Sequence, residues 1–323
     1  MSHAMFVHET GGPEVLRWEK NDVGPPGPGQ IRLRHTAIGL NFIDVYHRTG
    51  LYPQPLPFIP GMEGAGVVDA VGSGVTDLVA GDRVAYAMAI GGYAELRLIP
   101  ADRVVKIPAG IEDRTAAAMM LQGMTVEYLI RKVYAVQPGD TILIHAAAGG
   151  VGLILCQWAS ALGATVIGTV SSKAKADLAH DHGCHYPIVT SDEDFHAKVM
   201  EVTAGAKLPV VYDSVGRDTF MKSLDCLRPR GIMVLFGQAS GPVPPLDLGI
   251  LAQKGSLFVT RPTLASFVAT RPDLEATSRD LFEAVSSGKV KIEVNQTYPL
   301  AEAAQAHRDL EARRTTGSTV LIV

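Results

Sequence analysis

The stretch Ala147-Ala-Gly-Gly-Val-Gly152 constrains this chain more than any other. It follows a strand-length apolar run, Thr141–Ala146, and opens a helix-length apolar pattern, Val151–Leu162, that ends at Gly163. The pattern is G-x-G-x-x-G with alanine in the first place. Each small residue has a physical task. Ala147 permits the tight turn, Gly149 lets backbone amides approach a pyrophosphate, and Gly152 lets the helix pack against the strand. The helix start, at Gly150 and Val151, then offers free N–H groups and partial positive charge to phosphates. On its own the motif is a weak signal. Its strand–turn–helix–strand setting favours a dinucleotide-binding fingerprint over a glycine-rich turn that binds nothing.

The sequence around this motif alternates strands and helices. Strands are expected at Thr165–Val170, Tyr186–Val189, Val210–Asp213, Ile232–Phe236 and Ser256–Thr260. Helices are expected at Lys173–His182, Phe195–Thr203 and Thr219–Leu227. This alternation predicts an α/β fold with a doubly wound parallel sheet. Earlier residues read differently. Short strands at Ile31–Ile38, Gly66–Val71, Arg83–Tyr86 and Tyr93–Ile99 are separated by Gly/Pro turns, which suggests a barrel or sandwich. Helices follow over Thr115–Tyr134, and the tail is mixed, with a strand expected at Val290–Val294 and another at Thr319–Val323. The switches fall near residues 122 and 262, so residues 1–122 and 262–323 would form one domain and 123–261 the dinucleotide-binding one.

The second strand of that domain ends at Ser171-Ser-Lys-Ala-Lys175, where an acidic residue would hold the ribose 2′-hydroxyl of NAD. Hydroxyls and lysines suit a 2′-phosphate instead, so NADPH is the expected cofactor, with a solvated helix start as the bland alternative. The net charge of −4 carries no nucleic-acid footprint. No apolar run approaches membrane-span length, and no secretory leader is read, so a cytoplasmic location is expected. Cys156, Cys184 and Cys226 are scattered and fit buried thiols in a reducing compartment. The cluster His180, His182, Cys184 and His185 crosses a helix end at Gly183, so its side chains need not converge on a metal.

Longer segments carry a resemblance. Ile38-Gly-Leu-Asn-Phe-Ile-Asp44, Arg48-Thr-Gly-Leu-Tyr-Pro53, Ala80-Gly-Asp-Arg-Val84, His145–Gly152, Val211–Asp218 and Leu257–Pro262 together make the chain similar, over nearly its whole length, to the zeta-crystallin-type quinone oxidoreductases. These form a zinc-independent branch of the medium-chain dehydrogenase/reductase superfamily. The resemblance implies a GroES-like β-barrel domain plus a Rossmann domain, NADPH in the cleft between them, a quinone as small-molecule partner, and a homodimer. It implies that Asn41, Ile43, Tyr46 and Tyr52 line the nicotinamide side, with Asn41, Tyr46 and Tyr52 serving catalysis. It also implies cofactor contacts from Gln122, Thr125, Ser171, Ser172, Lys175, Ser214, Gly216, Phe236, Gly237 and Arg261. Two positions depart from the pattern: Gln122 stands where close relatives often carry Lys, and Thr190 where some place Tyr. Zinc-binding relatives carry Gly-His-Glu, whereas this chain has Gly61-Met-Glu63, and Met does not replace a nitrogen ligand for zinc. Two other readings stay open: an NADPH-dependent reductase of enones or enals, and an NADPH-binding protein in which turnover is incidental.

Overall fold

The structure, a computed structural model, describes residues 2–323. The chain divides into two compact units. One holds residues up to Met124 together with Val268–Ser286 and Ile292–Val323; the other holds Thr125–Phe267 and Ser287–Lys291.

In the first unit, β1 (Ser2–Val7) and β2 (Leu16–Asn21) form an antiparallel ribbon. Next come β3 (Gln30–Leu40), α1 (Phe42–Arg48), β4 (Glu63–Val71), β5 (Arg83–Ala87), β6 (Leu96–Pro100), β7 (Val105–Lys106) and α2 (Asp113–Ala117). Helix α3 (Met120–Tyr128) carries the chain into the second unit. Strand β3 alternates as a half-buried strand should, with Ile31, Leu33, His35 and Ala37 inside. The strand expected over Tyr93–Ile99 starts later, at Leu96. Tyr93 is engaged elsewhere: its N–H donates to Pro60 O at 2.8 Å and its carbonyl accepts from Met5 N at 2.8 Å.

The second unit alternates without interruption: β8 (Thr141–Ile144), α4 (Gly150–Ala161), β9 (Thr165–Val170), α5 (Lys173–Asp181), β10 (Tyr186–Val189), α6 (Phe195–Val202), β11 (Leu208–Asp213), α7 (Phe220–Asp225), β12 (Leu227–Leu235), α8 (Gly249–Gln253), β13 (Phe258–Thr260) and α9 (Leu264–Phe267). The helix expected through Leu227 stops at Asp225 because Leu227 already pairs with Leu208. The six strands are all parallel in the order β10-β9-β8-β11-β12-β13. The strand order therefore reverses between β8 and β11, and ligands of such sheets bind outside the carboxyl ends at that point. Leu143, Ile167, Val211 and Met233 from the strands pack with Phe195, Val199, Phe220 and Leu224 from the helices, all buried.

The chain returns to the first unit through α10 (Arg271–Ser286), β14 (Val294–Pro299), α11 (Ala303–Glu311) and β15 (Ser318–Ile322). The strand expected at Val290–Val294 lies instead at β14. The backbone of Lys291 belongs to the second unit, where its N–H and carbonyl bond the Gln157 side chain at 2.8 and 3.1 Å. The first unit's large sheet has seven strands, in the order β14-β15-β3-β4-β5-β7 with β6 added on β3. These pairings do not form a closed ring.

Helix α1 falls inside Gly39–Pro53, where the sequence pattern predicts no helix. Two devices hold it. Asp44 accepts the N–H of its cap residue, Asn41, at 3.0 Å, as in a capping box. Arg48, 1% exposed, is clamped by both oxygens of Glu311, at 2.9 and 2.8 Å. Arg48 also donates to Nδ1 of His307 at 2.9 Å, which leaves the His307 proton on Nε2. That proton points at the Tyr93 oxygen, 2.9 Å away, so the Tyr93 hydroxyl donates to Asp44 Oδ2 at 3.0 Å. A donor-only guanidinium thus orients the whole chain of bonds.

Where β4 pairs with β3, a Cβ on Gly66 would lie 2.1 Å from the Arg34 carbonyl oxygen and 2.8 Å from His35 Cα. Both obstacles are backbone. Gly66→Ala is expected to destabilise the first unit by at least about 1–3 kcal/mol, the usual cost of overpacking. Urea denaturation followed by circular dichroism checks this; an unchanged midpoint would contradict the close packing.

Candidate functional site

The carboxyl edge of the parallel sheet gathers one group of residues. Ala146, just past β8, has φ of 55°, a left-handed conformation that costs a non-glycine residue energy. It turns the chain so that the Ala146 carbonyl accepts the Gly149 N–H at 2.9 Å. A Cβ on Gly152 would lie 2.3 Å from that carbonyl oxygen, so α4 approaches the turn as only glycine permits. A Cβ on Gly149 would meet the same oxygen at 3.2 Å and nothing else within 4 Å, so the outer side of the turn is clear. The N–H groups of Gly150, Val151 and Gly152 open α4 and lack intrahelical carbonyls. The arrangement suits a phosphate anion.

Neighbouring loops complete the edge. Ser171 and Ser172 follow β9 and are exposed. Ser172 caps α5, its Oγ accepting Lys175 N–H at 3.4 Å. Lys173 pairs with Asp177 at 3.1 Å, and Lys175 follows two residues on, half-buried. After β11, Asp213 accepts the N–H groups of Val215 and Gly216 at 2.7 and 3.1 Å, which shapes the loop carrying Ser214 and Gly216. After β12, Phe236 N–H donates to Asp213 O at 2.8 Å, and a Cβ on Gly237 would stand 2.7 Å from Ser214 O. The two loops are therefore in backbone contact. Arg261 follows β13 and acts electrostatically on Tyr128, whose ring stacks on Phe267 at 4.3 Å. Thr125 is buried on α3. Thr190 is tied to Val170 O by its N–H and hydroxyl, at 3.0 and 3.2 Å.

Beneath this edge lies a buried group to which the sequence reading assigned no role. His145 Nδ1 is 2.9 Å from Thr169 Oγ and its Nε2 is 2.8 Å from Ser223 Oγ. Ser223 donates to Thr219 O at 2.9 Å, so it accepts from His145 Nε2–H, and Thr169 donates to Nδ1. Burial lowers the His145 pKa. The neutral ring ties the ends of β8 and β9 to α7. Its signal was a polar residue closing an otherwise apolar strand.

The first unit holds the other predicted residues. Tyr46 and Tyr52 meet edge-to-face at 5.1 Å, and Phe42 lies 6.0 Å from Tyr46. Asn41, at the cap of α1, donates from Nδ2 to Glu63 Oε2 at 2.7 Å and accepts at Oδ1 from Gln122 Nε2 at 3.2 Å. Ser318 Oγ lies 2.8 Å from Gln122 Oε1. Glu63 also accepts the Leu121 N–H at 2.8 Å. Gln122 is therefore a partner of Asn41. Glu63 and Asp44, which flank Asn41, were not singled out as site residues, although the Asn41/Asp44 spacing already carries the capping signature.

His182 bonds Leu178 O at 2.8 Å, His185 accepts Val166 N–H at 3.0 Å, and Cys184 is buried. Among the described residues, no group of three or more His, Cys, Asp or Glu side chains could hold a metal ion. None of the helices described is long and apolar enough to cross a membrane.

Two family models match, one described as "Zinc-binding dehydrogenase" over residues 150–283 and one as "Alcohol dehydrogenase GroES-like domain" over residues 27–109. A quinone oxidoreductase of Pseudomonas aeruginosa is 56% identical, the match covering 97% of each chain. A 2-haloacrylate reductase of a Burkholderia species is 48% identical over 100% of this chain and 99% of its own. The crystal structure of Escherichia coli quinone oxidoreductase complexed with NADPH gives a TM-score of 0.98 at 50% identity, covering 99% of this chain and 100% of that one. The chain belongs to the quinone oxidoreductase family. Its GroES-like match lies wholly in the first unit, and the match named for zinc includes all three buried, scattered cysteines.

In this family member, the buried carboxyls make stability depend on pH. Burial pushes Glu63 from 4.5 up to about 8 and Asp44 from 3.8 up to about 7. Burial holds His35 and His307 down, from 6.5 to about 3. The carboxyls bind protons in the folded chain that the unfolded chain has released, so their contribution is full at low pH and is lost as pH rises to about 8. The histidines act oppositely, and their effect is complete only once the unfolded imidazoles, with pKa 6.5, have lost their protons. Above roughly pH 7.5 the carboxyls act alone, and the melting temperature should fall as pH rises through about 8, by roughly 1–3 °C. Glu63→Gln should flatten that slope; a melting temperature that rises across the window would contradict the burial.

Proposed function

We propose that this family member is an NADPH-dependent quinone reductase that works without a metal. The observation that carries the proposal is the glycine turn after β8 beside a β9 tip bearing Ser171, Ser172 and Lys175 and no carboxylate through Lys175. A dinucleotide pyrophosphate fits the open side of Gly149 and the N–H groups of Gly150, Val151 and Gly152. A 2′-phosphate fits the hydroxyls and Lys175, where an acid would repel it. Ser214, Gly216, Phe236, Gly237, Arg261, Thr125 and Gln122 supply the remaining contacts on this reading. NADPH supplies a hydride to the acceptor when bound.

The chain's own part is positioning. Tyr46 and Tyr52 present an edge-to-face pair of apolar rings with hydroxyls, and Asn41 an amide, to a planar acceptor carbonyl. Quinones are easily reduced, so orientation and exclusion of water suffice without a dedicated strong acid. Met62, where zinc relatives carry His, supports metal independence. A second reading, reduction of an activated alkene, is favoured by the 48% identity to a 2-haloacrylate reductase.

An assay of NADPH and NADH oxidation with quinones, enones, 2-haloacrylate and no acceptor separates these readings. NADPH oxidation should be quinone-dependent and unaffected by prolonged chelation, with NADPH bound more tightly than NADH. Lys175→Glu should erase that preference by removing a charge-assisted bond worth about 1.5–3 kcal/mol. Equal dissociation constants for the two cofactors in the unmutated protein would refute the cofactor assignment. Turnover with 2-haloacrylate alone would replace the quinone assignment.

The proposal includes a homodimer. Strand β13 is the edge of the parallel sheet, and Phe258 there is 60% exposed, as is Leu248 nearby in sequence at 72%. A bare apolar edge invites pairing with a second copy. Sedimentation at micromolar concentration should report twice the chain mass, and Phe258→Asp should halve it. A monomeric unmutated protein would rule the dimer out.

A further inference from the structure

Glu63, Asn41, Gln122 and Ser318 form a line of hydrogen bonds inside the first unit. Glu63 is 0% exposed, Asn41 and Gln122 6%, and Ser318 4%. The heavy-atom separations are 2.7 Å from Asn41 Nδ2 to Glu63 Oε2, 3.2 Å from Gln122 Nε2 to Asn41 Oδ1 and 2.8 Å from Ser318 Oγ to Gln122 Oε1. Ser318 Oγ also lies 3.0 Å from the Ala118 carbonyl oxygen.

These positions admit two complete patterns. With Glu63 ionised, the Ser318 hydroxyl donates to Gln122, Gln122 to Asn41, and Asn41 to the carboxylate. With Glu63 protonated, its O–H donates to Asn41 with the amide turned over. Asn41 then donates to the turned Gln122, Gln122 to Ser318 Oγ, and the Ser318 hydroxyl to Ala118 O. Each link is satisfied in both cases, because an amide presents a donor on one side and an acceptor on the other. The Leu121 N–H donates to Glu63 Oε1 in either state.

We propose that Glu63 is a positioning residue whose protonation state reverses the direction of the Asn41–Gln122–Ser318 relay, exchanging the remaining donor and acceptor positions of the Asn41 amide. The proposal rests on the reading that Asn41 lines the acceptor site. A quinone carbonyl needs a donor, so the two orientations of Asn41 differ in how well they hold it.

The surroundings of Glu63 make both states accessible. Like-charged Asp44 faces it from α1, and Tyr86 on β5 feels its charge. His35 on β3 is engaged with Tyr86 Oη at 2.9 Å, and Arg97 on β6 bonds that same hydroxyl at 3.1 Å. Helix α3 contributes the Leu121 amide and Gln122. Among the described residues no cation forms an ion pair with Glu63, and its pKa is pushed up to about 8 by burial. By contrast, the bonds through His307 and Tyr93 to Asp44 cannot reverse, because Arg48 only donates.

Side-chain amide nitrogen NMR of the full chain from pH 6 to 9.5 tests the relay without any acceptor present. The Asn41 and Gln122 amide signals should move together with one midpoint. In Glu63→Gln, which locks the low-pH pattern, neither should titrate. In Ser318→Ala, a small change that keeps the fold, Gln122 should stop following Asn41. With quinone present, KM should change about threefold to tenfold across the midpoint, as expected for one orienting bond, with kcat nearly constant. Glu63→Gln should keep the low-pH KM throughout. Independent titration of the two amides, or an unchanged KM midpoint in Glu63→Gln, would overturn the proposal. So would a relay titration with no response in KM. Absence of quinone turnover in the unmutated protein would instead refute the proposed activity, and the amide titration would still report on the relay.

Discussion

The backbone contact between α4 and the turn after β8 sets the geometry of the whole carboxyl edge. Helix α4 starts where a side chain at Gly152 would overlap the Ala146 and Ala147 carbonyl oxygens. That closeness aims the open N–H groups of the helix across the sheet edge, next to the point where strand order reverses. Ala146 sustains a left-handed conformation to make the turn. Below it, neutral His145 bridges Thr169 and Ser223, so the ends of two strands and a helix share one rigid anchor. The β9 tip with Ser171, Ser172 and Lys175 therefore stands at a fixed place relative to the glycine turn after β8. On the proposed reading its hydroxyls and lysine need no special burial to act, because the ligand brings the opposing charge.

The other unit works by burial. Two carboxyls and two imidazoles sit almost out of reach of water, and burial dominates every one of their pKa shifts. An uncompensated buried charge is costly, so such groups persist when directional hydrogen bonds satisfy them. The Asp44 side achieves this with polarity fixed by Arg48, whose guanidinium has no acceptor. The Glu63 side is built from two amides and a hydroxyl, which have both. The same cap residue, Asn41, joins the two: its backbone N–H goes to Asp44 and its side chain to Glu63. One half of the network holds α1 in place, and the other leaves the orientation of a single amide open to protonation.

Much of this was legible in the sequence because it depends on local pattern. The glycine fingerprint, the strands at Thr165–Val170 and Tyr186–Val189, and the basic, hydroxyl-rich tip at Ser171–Lys175 are set by short-range sterics, periodicity and charge. They required no knowledge of distant residues. What the sequence could not decide was which remote groups meet. Helix α1 lay hidden in a Gly/Pro-bounded stretch because its anchors, Glu311 and His307, are more than 250 positions away. The strand at Val294–Pro299 shifted from its expected place because Lys291 is held by Gln157. Gln122 gained a role only when folding set it between Asn41 and Ser318, and Glu63 became a titrating neighbour only when the fold removed water from it. Local chemistry determined the fold of the dinucleotide-binding half and the basic, hydroxyl-rich tip on which the proposed cofactor preference rests. Tertiary structure alone decided the proton affinities and hydrogen-bond directions around Asn41, because desolvation and pairing exist only once distant segments have packed.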